Sequence, residues 1–151
     1  MSIPQSGGGQ IENMNQLSEY LESGCKLTKD WRIGTEHEKF GFDKSTLKPL
    51  PYEGSCSIKS MLEGLRDTFD WTPVYEQDNL IGLEKNGANV SLEPGGQLEL
   101  SGAPLESIHQ TCDEANLHLK EVKQIADKIG AGFLGLGAAP IWSHEDMHMM
   151  P

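Results

Sequence analysis

The chain has 151 residues, of which 36% are hydrophobic, enough for one domain with a modest core and too few for two. Its 23 acidic residues outweigh 12 basic ones to give a formal charge of −11, which removes the basic face that a nucleic-acid partner requires. No stretch approaches the roughly 18 apolar residues needed to span a bilayer, so no membrane partner is expected.

MSIPQSGGGQ at the N-terminus lacks a basic region followed by an apolar run, and residues 1–12 read as a flexible leader. Met14, Leu17, Tyr20 and Leu21 then recur at helical spacing and stop at Ser23-Gly24, which predicts a short first helix. From Trp31 to Phe42 there is no helical stripe, and the run halts before Asp43-Lys44-Ser45, so a strand is expected. In a strand Glu36 and Glu38 share one face and His37 takes the other. Ile58, Met61, Leu62, Leu65 and Phe69 keep the three-and-four spacing of a second helix, capped by Ser57 or Ser55.

Between Asn79 and Ser101, Asn86-Gly87 and Pro94-Gly95-Gly96 separate three short apolar runs, the pattern of an antiparallel meander. Pro104 opens the longest periodic stretch, in which Leu105, Ile108, Cys112, Ala115, Leu119, Val122, Ala126 and Ile129 predict one helix stopped by Gly130. GFLGLGA follows as a buried strand, with an irregular tail after it. The expected fold class is α+β, an antiparallel sheet with packed helices.

Cys25, Cys56 and Cys112 are widely spaced, with no CxxC pair, which suggests neither a disulfide framework nor a zinc cage and fits a reducing cytoplasm. Gly130, Gly132 and Gly135 satisfy GxGxxG, but here a helix precedes and a strand follows, the reverse of what dinucleotide binding needs. His144, Glu145 and His148 satisfy HExxH without an apolar helix to carry them. His37 and His109 carry no assigned role.

The carboxylates hold more promise. Gln97, Glu99 and Ser101 share a strand face, and Glu93 ends the preceding strand. If that sheet includes the strand of Glu36 and Glu38, four carboxylates meet on one surface, where like charges oppose one another's ionisation unless a cation intervenes. Oxygen-only ligands suit magnesium, which keeps positions open for water and nucleotide phosphates. The other reading is a solvated acidic face with no chemistry, and spacing leaves both open.

RIGTEHEKFGF, SLEPGGQLELSGAPLESIHQTCDEANLHL and GFLGLG with a terminal MMP resemble the N-terminal part of glutamate-cysteine ligases of the plant and alphaproteobacterial type. That resemblance implies an incomplete glutamine synthetase-like catalytic fold, with residues 13–151 as the N-terminal part of one ligase domain truncated at its C-terminus. It implies ATP-dependent joining of L-glutamate, through its γ-carboxyl, to L-cysteine by way of a γ-glutamyl phosphate, the first step of glutathione biosynthesis. Glu36 and Glu38 would be catalytic, Glu36, Glu38, Glu93 and Glu99 would hold Mg2+, and Gln97 is the candidate substrate contact. Cys112 falls where plant-type members carry a redox-sensitive cysteine, but its partner would lie downstream, where this sequence has none, and its place on the apolar stripe reads as core packing. The alternatives are another glutamate-amine ligase of the same fold and a non-catalytic acidic module. The 151-residue chain by itself is expected to make no γ-glutamylcysteine from glutamate, cysteine, ATP and magnesium; product in that assay overturns the expectation.

Overall fold

The computed structural model describes residues 9–151, so residues 1–8 of the expected leader lie outside the described residues. Residues 9–12 run without helix or strand into helix α1, Met14–Ser23, whose N-cap Asn13 side chain accepts from the Gln16 backbone N–H. The predicted helix is present, but it buries no residue among the described residues: Met14, Tyr20 and Leu21 are all about three-quarters exposed. Gly24 ends it in an ordinary right-handed conformation.

Strand β1 spans Glu36–Asp43, later than expected, because Trp31–Thr35 run as irregular chain, joined to the Gly102–Leu105 segment by an isolated Ile33–Leu105 bridge and by the Gly102 N–H donating to the Thr35 carbonyl. Helix α2, Ile58–Phe69, is capped by Ser57, whose hydroxyl accepts from the Ser60 N–H, and it buries Ile58, Met61, Leu62 and Leu65. An unpredicted strand β2, Thr72–Glu76, follows; Pro73 argues against a strand in sequence and is tolerated because β2 lies at the sheet edge. The meander forms as expected, with β3 at Asn79–Lys85, β4 at Ala88–Glu93 and β5 at Gln97–Ser101. Asn86 and Gly87 both adopt positive φ, the primed turn that matches strand twist.

Helix α3 runs Ile108–Ile129, and the chain from Pro104 to Ser107 precedes it rather than opening it. Ser107 and Gln110 form a reciprocal capping box, and Gly130 closes the far end in the left-handed conformation. The buried face also departs from the expected stripe. Val122, Ile125 and Ala126 are buried as read, but in the first half Thr111 and His118 point inward while Cys112, Ile108 and Leu119 are exposed. The contacts on this side are partly polar: Glu114 accepts from the Ala103 N–H at 2.9 Å, and His118 lies edge-on to Trp71. Core packing of Cys112 is therefore wrong. Strand β6, Ala131–Leu134, completes the element order, buried only at its start.

The six strands form one antiparallel sheet in the order β2-β3-β4-β5-β1-β6. Leu80, Leu83, Val90, Leu98 and Leu100 bury against Met61, Leu62, Leu65, Val122 and Ile125, so α2 and α3 cover one face and leave the other open. The two helices meet at Gly64, where an added Cβ would collide with Ile125 Cγ2. Gly64→Ala should therefore cost about 1–3 kcal/mol by overpacking. Urea unfolding of G64A, I125A and G64A/I125A checks this, since relief of the clash should make the double variant's loss smaller than the sum of the two single losses.

Candidate functional site

Antiparallel register decides which side chains share the open face. Glu38 lies directly opposite Glu99, and Glu99 opposite Ser91; Gln97 lies opposite Glu93, and Ser101 opposite both Glu36 and Asn89. Strand alternation therefore carries Glu36 and Glu38 on β1, Gln97, Glu99 and Ser101 on β5, and Ser91 and Glu93 on β4 to the face away from the helices. Side chains directly opposed in this way start about 5 Å apart at Cβ. The four carboxylates expected to share a surface do so.

They differ in environment. Glu99, at the centre, is only 4% exposed. Ser101 Oγ donates to its Oε1 at 3.1 Å and Ser91 Oγ to its Oε2 at 3.3 Å, so two hydroxyls fix the orientation of the carboxylate. Glu36 and Glu38 are exposed, and Gln97 Nε2 donates to Glu38 Oε2 at 3.4 Å. Glu93 is half-buried beside the Pro94-Gly95-Gly96 turn. Ser101 was expected on this face but given no role, and Ser91 was missed in sequence; its signal was the polar alternation V-S-L-E, legible once the strands are in register.

The donors are all oxygen, the set a hard divalent cation takes. They line a ledge rather than a closed cage: among the described residues no three His, Cys, Asp or Glu side chains gather to hold a metal ion. The HExxH residues fall partly in a short 3₁₀ turn, His144–Asp146, and do not form the two-turn helix that the zinc motif needs.

Behind the ledge, on the helix-covered face, lies a layer of buried polar groups with no sequence signature. Lys39 is 1% exposed, and its Nζ donates to the His37 carbonyl at 2.6 Å. Burial pulls its ammonium down to about 8, against the upward pull of Glu99 and Glu38. His118, 2% exposed, has neither ring nitrogen hydrogen-bonded among the described residues, and its ring lies edge-on to Trp71. Burial, with the charges of Lys39 and His37 adding to it, pushes His118 down to about 3. Trp71 Nε1 donates to Glu121 at 2.9 Å, and Lys85 approaches the same carboxylate at 3.8 Å.

A carboxylate-lined sheet face backed by helices defines an α+β protein with an acidic surface opposite its core. Residues 32–151 match the family described as Glutamate-cysteine ligase family 2 (GCS2), and the chain belongs to that family. It is 55% identical over 135 residues to a chloroplastic glutamate–cysteine ligase of Medicago truncatula, covering 89% of this chain and 26% of that protein. Glutamate–cysteine ligase B, chloroplastic, of Oryza sativa subsp. japonica is 53% identical over the same share of this chain and 27% of its own length. A chloroplastic relative from Nicotiana tabacum is 55% identical, with 25% of its length covered. The chain thus spans about a quarter of the curated relatives it matches.

The names of these relatives place them in the chloroplast and overturn the cytoplasmic expectation: unpaired cysteines report redox poise and do not say which compartment supplies it. Among the described residues no helix is long and apolar enough to cross a membrane.

The His118 environment has a pH consequence. Its folded pKa, about 3, lies below the ordinary histidine value of 6.5, so the unfolded chain binds the extra proton between those values. Stability should be full above pH 6.5 and fall as pH drops toward 3, by on the order of 2–3 kcal/mol at pH 4. Urea unfolding at pH 7 and pH 4 measures it, and His118→Leu should remove most of that difference.

Proposed function

We propose that this chain supplies the carboxylate wall of an ATP-dependent ligase that joins the γ-carboxyl of L-glutamate to the amine of L-cysteine. In this reading residues 13–151 are the N-terminal part of a single catalytic domain with a glutamine synthetase-like sheet, and the bound cation is Mg2+. The observation that carries it is the register that sets Glu38, Glu99 and Ser91 in one row across three strands, with Glu36 and Glu93 on the same face. Membership of the glutamate-cysteine ligase family supports it.

A carboxylate is a poor electrophile and needs activation, which the γ-phosphoryl of ATP provides by forming a γ-glutamyl phosphate that the cysteine amine attacks. Magnesium, when bound, would neutralise charge on the phosphates. Glu36, Glu38, Glu93 and Glu99 would hold it, Glu36 and Glu38 nearest the reacting groups. Glu99, with its hydroxyl partners, is the pre-set member, while Glu36 and Glu38 are exposed and free to meet an incoming complex. Electrostatic stabilisation of this kind works because the charges are placed before the reaction begins. Gln97, bonded to Glu38, would orient that carboxylate and meet the substrate.

The test is a chimera in which residues 32–151 replace the matching segment of the Medicago truncatula relative. It should form γ-glutamylcysteine from glutamate, cysteine and MgATP, and Glu36→Gln within it should lower turnover by about 100-fold or more with folding retained. A folded but inactive chimera, or full turnover in E36Q, overturns the reading. Conjugation of other amines in place of cysteine would favour a neighbouring amine ligase.

A further inference from the structure

The tail after β6 is tied down along its length. Trp142 Nε1 donates to the Leu47 carbonyl at 2.9 Å, and its ring sits edge-on to Phe40, centroids 5.6 Å apart. Lys48 pairs with Asp146 at 2.5 Å, and Asp146 also accepts from the Ser143 N–H and hydroxyl. These anchors deliver Met147 and Met150 onto the turn between β4 and β5.

That turn is shaped to receive them. Gly95 and Gly96 have φ of 77° and 79°, a left-handed region where side chains are strained. A Cβ on Gly95 would collide with the Met147 terminal methyl, and one on Gly96 would lie 2.7 Å from that of Met150 and 3.3 Å from Ile58. The glycines form a trough, and two methionines fill it. Met150 goes on to pack against the buried core. The turn closes through Gly96 N–H donating to the Glu93 carbonyl at 2.9 Å, and its flanking pair is Glu93 opposite Gln97.

We propose that Met147 and Met150 are positioning residues for the carboxylate ledge: clamped on the Gly95-Gly96 trough, they hold Glu93 and Gln97 in register with Glu99 and Glu38. The inference rests on the cation-binding reading above. Thioether side chains suit the task, since they are flexible enough to fill an irregular trough and apolar enough to exclude water from it. An unclamped glycine turn samples many conformations, and carboxylates that wander bind a cation less well.

The test uses the 151-residue chain. In M147A/M150A, amide hydrogen exchange over residues 93–97 should speed up about tenfold while α2 stays protected, and M147L/M150L should restore the wild-type rate. Mn2+ binding, followed by the electron paramagnetic resonance of the free ion, should weaken about fivefold in M147A/M150A and return with the leucines. Adding the alanines to Glu93→Gln should weaken it by clearly less than fivefold, because a clamp that acts in part through Glu93 is not additive with its loss. Unchanged exchange, failure of the leucines to rescue, or full additivity with E93Q each overturn the clamp. If the wild-type chain binds no Mn2+, the cation reading falls and exchange alone decides the clamp. Should M147A/M150A fail to fold, M147A carries the same test, since Met150, and not Met147, packs on the core.

Discussion

Everything at the site depends on the antiparallel pairing of β1 with β5. A strand presents alternate residues to opposite faces, so one pairing register puts Glu36, Glu38 and Glu99 on the open side and His37, Lys39, Leu98 and Leu100 on the helix side. A slip of β1 by one residue would place Glu38 in the core and Lys39 on the ledge. Burial enforces the observed register from behind, where Leu98 and Leu100 are essentially inaccessible beneath the helices. Hydrophobic packing on one face thus sets the electrostatics of the other.

The helix side is not a simple apolar floor. Lys39 and His118 are both buried there, and Glu121 ties Trp71 to the rim. Such groups weaken the core relative to apolar side chains of the same size. The Lys39 ammonium nonetheless lies close enough to Glu38 and Glu99 to feel their charge through the sheet. The ledge is therefore partly countered from below, while its upper side stays open.

The elements that were legible in the sequence share one property: their local signal and their burial agree. α2 is the clearest, since each residue of its stripe except Phe69 is buried, and the meander is marked by turns whose residues take the required positive φ. The face of the four carboxylates also follows from strand alternation. What was not legible depends on partners distant in the chain. The first half of α3 buries Thr111 and His118 on the side where Glu114 reaches the Ala103 backbone, and apolar periodicity does not register a polar contact of that kind. β2 hides behind Pro73, acceptable only because it falls at an edge. The hydroxyls on Glu99 and the methionines in the glycine trough appear only when strands and tail are assembled.

Strand order also bears on how the molecule comes together. β1 is the first strand in the chain yet lies between β5 and β6, the last two, so its partners are made some 60 and 90 residues after it. Such non-local pairing carries a large loop-closure cost and slows folding. During synthesis the β2–β5 meander can zip by hairpins while β1 waits, its edges open to the wrong neighbour. The two sides of the carboxylate ledge belong to that late junction, so an intact ledge marks a chain that has finished folding.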